Sequence, residues 1–276
     1  MVEILKAVLF GIVEGITEWL PISSTGHMIL LNEFVTLDVS PEFWEMFLVV
    51  IQLGAILAVV VLFWNQIFPF QFGGGSIIRK DVFAMWGKII VGCLPAAVIG
   101  LPFDDLFEEL FYNYVTVAVM LILFGVAFIW IENRNKNVKP KVKELSQITI
   151  PLALAIGVFQ LVAGIFPGTS RSGATIVGAL LLGVSRTVAA EFTFFMAIPV
   201  MAGASLLKIA KYLLKGMALG GMEWAILLTG CAVAFVVSML VIKFLMGYIR
   251  KHDFKVFGWY RIVLGILVLG YFAFLE

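Results

Sequence analysis

The stretch that decides the fold is EGITEWLPISSTGH, residues 14–27. It places two carboxylates, a proline, three consecutive hydroxyl residues and an imidazole in the middle of residues 2–34, which are otherwise largely apolar. Irregular backbone at membrane depth is tolerated only where protein or a water-filled cavity covers it. The pattern therefore predicts a helix–loop–helix hairpin that enters a membrane and turns back.

The composition requires lipid around much of the chain. Hydrophobic residues make up 62% and charged residues 13%, and the mean hydropathy is +1.08. Soluble domains have about 45–50% apolar and about 25% charged residues. The net charge, 19 basic minus 18 acidic residues or +1, gives no indication of a nucleic-acid partner. Cys93 and Cys231 lie in apolar stretches and are expected to be packed thiols. No cleavage site follows the first apolar run, so we expect the N-terminal segment to belong to the fold.

A second broken region covers residues 148–183 and reads QLVAGIFPGTSRSGAT at 160–175. Five further apolar runs approach the ~20 residues that a membrane-spanning helix requires; they are 43–64, 113–131, 186–207, 224–246 and 258–275. A shorter run at 88–103, which contains Gly92, Pro95 and Gly100, is counted as a sixth span. We predict an all-α integral membrane protein with six transmembrane helices and two re-entrant helical hairpins.

The two broken regions match each other at one offset. The matching pairs lie 146 residues apart and are Glu14 with Gln160, Pro21 with Pro167, Ser24 with Ser170, and Glu45 with Glu191. Three spans separate the two hairpins, and an odd number inverts the second copy. The sequence thus predicts a single membrane domain, 1–276, built from inverted repeats of about 1–145 and about 147–276, with the hairpins meeting near the midplane.

The charges of the loops predict an orientation, since cytoplasmic loops are rich in Lys and Arg. The basic loops at 65–88, 132–146 and 250–255 are expected in the cytoplasm. The loop at 104–112 has four acids, Asp104, Asp105, Glu108 and Glu109, and is expected outside. One loop disagrees: 208–223 is also predicted outside but carries Lys208, Lys211 and Lys215. Both termini are predicted outside.

The first hairpin carries groups suited to acid–base and nucleophilic chemistry. Glu14 and Glu18 share one helix face, where two buried carboxylates need a proton, a divalent cation or a guanidinium nearby. Ser23, Ser24 and Thr25 supply hydroxyls. A serine becomes a strong nucleophile only when a base takes its proton, and His27 and the two glutamates are the titratable groups near enough in sequence.

The second hairpin carries groups suited to binding an anion. Arg171 is predicted deep in the membrane, where an arginine nearly always has an anionic partner, and its planar fork suits phosphate. Hydroxyls at the start of the following helix add donors; they belong to Thr169, Ser170, Ser172 and Thr175. An ion pair between Arg171 and Glu14 or Glu18 that only joins the hairpins is the structural alternative. We expect packing or hydrogen-bonding roles between helices for three further polar residues, Gln52, Gln160 and Glu191.

These two motifs, together with 50–54 and 183–186, resemble the bacterial undecaprenyl-diphosphate phosphatases, also called bacitracin-resistance proteins. The resemblance implies an enzyme that removes the terminal phosphate of the carrier lipid used in peptidoglycan synthesis. It implies Ser24 as nucleophile, His27 as its acid/base partner and Glu14 with Glu18 as the carboxylate pair. It also implies that the diphosphate is bound by Arg171 with Ser23, Thr25, Ser170, Ser172 and Thr175. Some relatives carry an acid where this chain has Leu48, so no role is assigned there.

Several alternatives stay open at this point. A water molecule activated by a glutamate fits the same residues as a serine nucleophile. A divalent cation, Mg²⁺ or Ca²⁺, on Glu14 and Glu18 is a further expectation. Inverted repeats with broken helices are also typical of transporters, so a lipid-phosphate flippase or anion transporter is the main rival. A phosphatase with two histidines is disfavoured because the other histidine, His252, lies in a basic loop. The sequence leaves open whether the chain is a monomer or a homodimer among membrane lipids.

Overall fold

The computed structural model describes residues 1–71 and 77–275, apart from the side chains at positions 101, 104, 105, 108 and 275. The acidic side chains of Asp104, Asp105 and Glu108, on which the predicted outside loop partly rests, therefore lie outside the described residues. Regular structure in the described part is helical. In chain order the α-helices are α1 Val2–Thr17, α2 Ser24–Phe34, α3 Pro41–Val50, α4 Gln52–Leu62, α5 Trp64–Ile67, α6 Lys80–Pro95, α7 Asp104–Phe111, α8 Tyr114–Asn135, α9 Ile150–Ile165, α10 Arg171–Leu181, α11 Arg186–Leu214, α12 Gly221–Ile249 and α13 Lys255–Leu275.

Six helical segments in the described part are long and apolar enough to cross a membrane, which confirms the six predicted spans. They are Pro41–Leu62, Lys80–Gly100, Tyr114–Asn135, Arg186–Leu214, Gly221–Ile249 and Lys255–Phe274. The first of them is interrupted at Ile51, between α3 and α4. The second begins eight residues before the predicted start at 88, and the predicted loop at 104–112 contains α7.

Both broken regions form a pair of helices joined by a tight turn: α1 with α2, and α9 with α10. Each second helix begins after a serine with a left-handed backbone, Ser23 at φ 75° and Ser170 at φ 69°, and these are the two positive-φ residues other than glycine in the described part. The hydroxyl of each serine accepts a hydrogen bond from a glycine N–H three residues later, at 3.3 Å and 3.1 Å. A serine that caps a helix in this way fixes the direction in which the helix leaves the turn.

The structure changes one pairing between the two hairpins. The capping serines are 147 residues apart (170 − 23), whereas the prolines of the turns are 146 apart. The second turn holds one extra residue, made possible by Gly168 at φ +87°. The predicted match of Ser24 with Ser170 is therefore wrong for the helix starts, because Ser24 is the first residue of its helix whereas Ser170 is the capping residue before its helix. Ser24 and Arg171 are the equivalent residues, each the first residue of its helix.

The first helix of each hairpin packs on a span from the other half of the chain. Helix α1 runs along α12, and α9 runs along α6. The contacts are close because glycines face backbone: a Cβ on Gly11 would lie 2.7 Å from the Gly230 carbonyl oxygen, and one on Gly157 would lie 2.1 Å from that of Gly92. Both cysteines are free thiols, as expected. The exchange of helices brings the two turns together in the interior.

Helix α4 packs against α12 at Gly54, where an added Cβ would lie 2.0 Å from the Cys231 carbonyl oxygen. We expect Gly54→Ala to lower the stability of the protein by about 1–3 kcal/mol, because the backbones must separate. Gly87→Ala on α6, where an added Cβ meets nothing within 4 Å, serves as the control and should stabilise slightly. Thermal unfolding in detergent measures both, and equal midpoints would contradict the packing described.

Candidate active site at the meeting of the two hairpin turns

The two turns enclose a cavity of about 150 Å³. Its polar wall comes from both hairpins and from α4, and its apolar wall comes mainly from α11 and the second turn. The six polar residues that line it are Glu18, Ser24, Thr25, Gln52, Ser170 and Arg171. A small polar cavity in an otherwise apolar helical protein is the expected form of a binding or catalytic site.

An ion pair joins the two hairpins at the cavity. Arg171 Nη2 donates to Glu18 Oε1 at 2.9 Å, and the two side chains are only 14% and 6% exposed. Arg171 Nη1 donates to the carbonyl oxygen of Thr193 on α11 at 3.2 Å. The ion pair that the structural alternative expected is therefore present, and its partner is Glu18. Because the same guanidinium also lines the cavity, the pair joins the hairpins and presents a cation to a ligand.

Ser24 lies on the other oxygen of the same carboxylate. Its Oγ donates to Glu18 Oε2 at 2.6 Å. Glu18 thus accepts from a potential nucleophile with one oxygen and from a guanidinium with the other. A carboxylate within hydrogen-bond reach of a serine hydroxyl has the geometry of a general base.

The ring nitrogens of His27 bond to Ser23 and Tyr260 in this structure, not to Ser24, which is the partner that the family resemblance implies. Its Nδ1 lies 2.7 Å from the Ser23 carbonyl oxygen, and its Nε2 lies 2.7 Å from the hydroxyl of Tyr260 on α13. A carbonyl oxygen can only accept, so Nδ1 carries a proton and donates it. The reason for the difference is the direction of α2, which turns Ser24 toward the end of α1 and His27 toward α13.

Three of the predicted diphosphate ligands are buried, and they are absent from the cavity lining in the described part of the chain. The Ser23 hydroxyl caps α2, Ser172 Oγ donates to the Glu18 carbonyl oxygen at 3.1 Å, and Thr175 Oγ1 donates to the Arg171 carbonyl oxygen at 2.8 Å. Thr175 also accepts from Thr193 Oγ1 at 2.9 Å. Hydroxyls in the first turn of a helix satisfy nearby backbone groups readily, and this competes with ligand binding. Of the predicted set, Thr25, Ser170 and Arg171 line the cavity.

Glu14 and Gln160 occupy matching places on α1 and α9, and both are buried. Glu14 Oε1 and both amide atoms of Gln160 have no hydrogen-bond partner among the described residues. The Arg171 Nε and Thr169 Oγ1 atoms share this property. Buried polar atoms in proteins are nearly always bonded to protein, water or an ion. The free oxygen of Glu14 therefore fits a proton, a water molecule or a cation beside the cavity.

Arg261 on α13 binds both turns from behind. Its side chain is fully buried and donates to the carbonyl oxygens of Pro21 at 3.1 Å, Gly168 at 2.9 Å and Thr169 at 2.8 Å. Charge-assisted bonds from one planar group to backbone oxygens of two turns restrain their relative position. Arg261 therefore holds the frame in which Glu18 and Arg171 meet.

The family model described as "Bacitracin resistance protein BacA" matches residues 7–267. The chain belongs to this family. Proteins named undecaprenyl-diphosphatase match it along nearly their whole length. The relative from Desulfitobacterium hafniense is 66% identical over 99% of this chain and 97% of its own, and one from Enterococcus faecalis is 58% identical over 98% and 97%. "Undecaprenyl-diphosphatase 1" of Clostridium acetobutylicum is 62% identical over 98% of both chains.

Two residues of the cavity region in this member of the family were not predicted. Gln52 was expected to pack between helices, but the interruption at Ile51 lets it line the cavity. Arg261 was overlooked although a signal existed, since an ionisable residue inside the apolar run 258–275 is a candidate for a functional role. Residues 183–186, which also carry the family resemblance, do not line this cavity. Arg186 forms an ion pair with the buried Glu132.

Replacing Arg261 should destabilise the protein strongly. Arg261→Met removes the donors from three carbonyl oxygens of the turns, and each unsatisfied buried acceptor costs about 1–3 kcal/mol. Arg250→Met, at an exposed arginine after α12, is the control. We expect the unfolding midpoint in detergent to fall by several degrees more for Arg261→Met than for the control. Equal midpoints would show that the turns are held by other contacts.

Proposed function

We propose that this chain hydrolyses undecaprenyl diphosphate to undecaprenyl phosphate and inorganic phosphate in the bacterial cell membrane. The reaction returns the carrier lipid to peptidoglycan synthesis and so contributes to cell-wall formation and bacitracin resistance. The observation that carries the proposal is the contact of Ser24 Oγ with Glu18 Oε2 at 2.6 Å, on a carboxylate whose other oxygen binds Arg171. The names of relatives 54–66% identical to the chain supply the substrate.

In the first step, Ser24 Oγ attacks the terminal phosphorus in line while Glu18 takes the serine proton. A bond from Oγ to phosphorus forms and the bridging phosphorus–oxygen bond breaks. Undecaprenyl phosphate leaves with the electron pair, and Glu18 gives the proton to it. Arg171 moves part of its hydrogen bonding from Glu18 to the phosphoryl oxygens and neutralises their charge. Positioning and charge neutralisation are the main requirements of phosphoryl transfer.

In the second step, water attacks the phosphoserine. Glu18 takes a proton from the water and returns one to Ser24, which releases inorganic phosphate and restores the enzyme. Thr25, Ser170 and Gln52 line the cavity and act as further donors to the phosphate oxygens. His27, between Ser23 and Tyr260, orients α2 in this scheme, and Glu18 takes over the acid/base role that the resemblance assigns to His27.

A divalent cation, Mg²⁺ or Ca²⁺, is compatible with these residues. The unpartnered Glu14 Oε1 provides a hard oxygen ligand of the kind that such cations prefer, although the described residues hold no group of three or more His, Cys, Asp or Glu side chains that could bind a metal ion. When bound there, the cation would help to neutralise the charge of the diphosphate. Glu14 in this proposal holds the cation, and Glu18 keeps its contacts with Ser24 and Arg171.

The membrane arrangement proposed is two re-entrant hairpins in an inverted repeat, with the site open to the extracytoplasmic side and both termini outside. The exchange of α1 and α9 between halves, the glycine contacts of Gly11 and Gly157 and the left-handed caps at Ser23 and Ser170 support the repeat. The basic residues of 132–146 support the orientation.

Removal of either partner of the central ion pair should abolish activity. We expect Arg171→Ala and Glu18→Ala to reduce phosphate release from undecaprenyl diphosphate at least ~10²-fold, because each removes charge stabilisation or the base. Glu33→Ala, at an exposed acid on α2, is the matched control and should keep near-normal rates. Near-normal rates in both site variants would refute the site. Transport of lipid phosphate without any phosphate release by the unaltered protein would favour the transporter.

A covalent phosphoserine distinguishes Ser24 from an activated water. Acid quenching during turnover of substrate labelled in its terminal phosphate should leave label on Ser24. Ser24→Ala should trap no label and lose at least ~10³-fold in rate, as expected for removal of a nucleophile. Substantial turnover by Ser24→Ala, with protein of normal unfolding midpoint, would instead assign the attack to water.

A further inference from the structure

A second, larger cavity adjoins the one that holds Arg171. Its volume is about 430 Å³, and it shares four lining residues with the inner cavity: Thr25, Ala163, Pro167 and Ala204. We call it the outer vestibule. The shared wall makes it the neighbour through which a ligand would reach the inner cavity from the side of α7 and of the C-terminal end of α11.

The outer vestibule has both an apolar and a charged part. Trp44, Leu48, Phe107 and Leu207 supply large apolar surfaces. The charged residues in its described lining are Lys208, Lys211 and Glu45, which give a net charge of +1 (two minus one). A wall of this kind suits a molecule with an anionic head and a hydrocarbon tail.

Helix α11 connects the two cavities along one face. Met201 lines the inner cavity, Ala204 lines both, and Leu207, Lys208 and Lys211 line the outer vestibule. Residues spaced by three and four positions lie on the same side of a helix. Lys208 is seven residues beyond Met201, or about 10 Å along the axis at about 1.5 Å per residue. The lysines therefore lie on the side of Ala204 away from Met201, in the lining of the outer vestibule and not of the inner cavity.

Lys208 is only loosely engaged. Its Nζ lies 3.8 Å from Glu45 Oε2, and the side chains are 27% and 57% exposed. An exposed ion pair at this distance contributes little and exchanges readily for a stronger anion. A diphosphate group carries more charge than one carboxylate, so it can displace Glu45 from Lys208.

The position of these lysines also explains why the loop at 208–223 disagrees with the orientation predicted from the loop charges. The segment 208–223 is predicted on the outer side, where basic residues are disfavoured, yet it carries three lysines. Two of the three line the outer vestibule. A requirement for cations at the entrance of an anion-binding site explains their presence.

We infer that the outer vestibule is an entry site for the anionic diphosphate head group of the lipid substrate, which Lys208 and Lys211 attract before Arg171 binds the terminal phosphate. This inference rests on the proposed function. Charges at the mouth of a site raise the local concentration of an oppositely charged ligand. Because they do not touch the reacting atoms, they act on capture of the substrate and leave the chemical step unchanged.

Steady-state phosphate release by the full chain in mixed micelles tests the inference, with undecaprenyl diphosphate as substrate. We expect the double variant Lys208→Gln/Lys211→Gln to raise KM about 5–10-fold with kcat within about twofold, and to weaken the rise of KM with salt. Glu45→Gln should lower KM, since it frees Lys208. The control is Lys215→Gln, an exposed lysine at the end of the same helix that does not line the outer vestibule; its KM should be unchanged.

Other outcomes overturn the inference. An equal rise of KM in Lys215→Gln would show general attraction to the membrane surface. A fall in kcat without a change in KM, or unchanged kinetics in all variants, would exclude an entry site at the lysines. We expect KM to fall in Glu45→Gln and to rise in the lysine variants. A general loss of folded protein would not explain changes of KM in opposite directions. If the unaltered protein releases no phosphate, the proposed function itself fails, and that result is distinguishable from normal turnover with unchanged KM.

Discussion

The contact between Glu18 and Arg171 is the constraint on which the rest of the structure depends. A guanidinium inside a membrane protein requires an anionic partner or backbone carbonyl oxygens, and the anionic partner of Arg171 lies on the other hairpin, 153 residues earlier in the chain. To bring the pair together, the first helix of each hairpin packs on a span of the other half of the chain. The glycines at 11 and 157 permit that packing because they let backbones touch. Close packing of small residues is the usual means of association where lipid removes the hydrophobic driving force.

The two arginines at the hairpin turns, Arg171 and Arg261, have different roles. Arg171 has a carboxylate partner and faces the cavity, so its interactions can be exchanged for those of a phosphate. The hydrogen bonds of Arg261 in the described part of the chain all go to backbone oxygens, three on the two turns and two on α8, and its guanidinium lies over the Phe124 ring. One guanidinium thus fixes the geometry that the other needs for binding.

Much of this arrangement follows from sequence, because apolar length and buried charge are local signals. The six spans, the two broken hairpins and the proximity of Arg171 to a glutamate were predictable for that reason. The partner of Ser24 was not, because it depends on the direction in which α2 leaves the turn, and the left-handed cap at Ser23 sets that direction. The match of Ser24 with Ser170 also failed at the helix starts, because the extra residue in the second turn is a property of the turn backbone. The place of Gln52 in the cavity lining was not predictable, because it depends on the helix break at Ile51 and no residue type there indicates a break.

The most direct test of the account is an experimental structure of the protein with a methylene-bridged analogue of the polyprenyl diphosphate, which cannot be hydrolysed. The account predicts the terminal phosphonate in the inner cavity, with its phosphorus about 3–3.5 Å from Ser24 Oγ, in line with the bridging carbon. Arg171 should donate to its oxygens, while Glu18 still accepts from Ser24. A head group bound away from Ser24, with Arg171 held on Glu18 alone, would contradict the account.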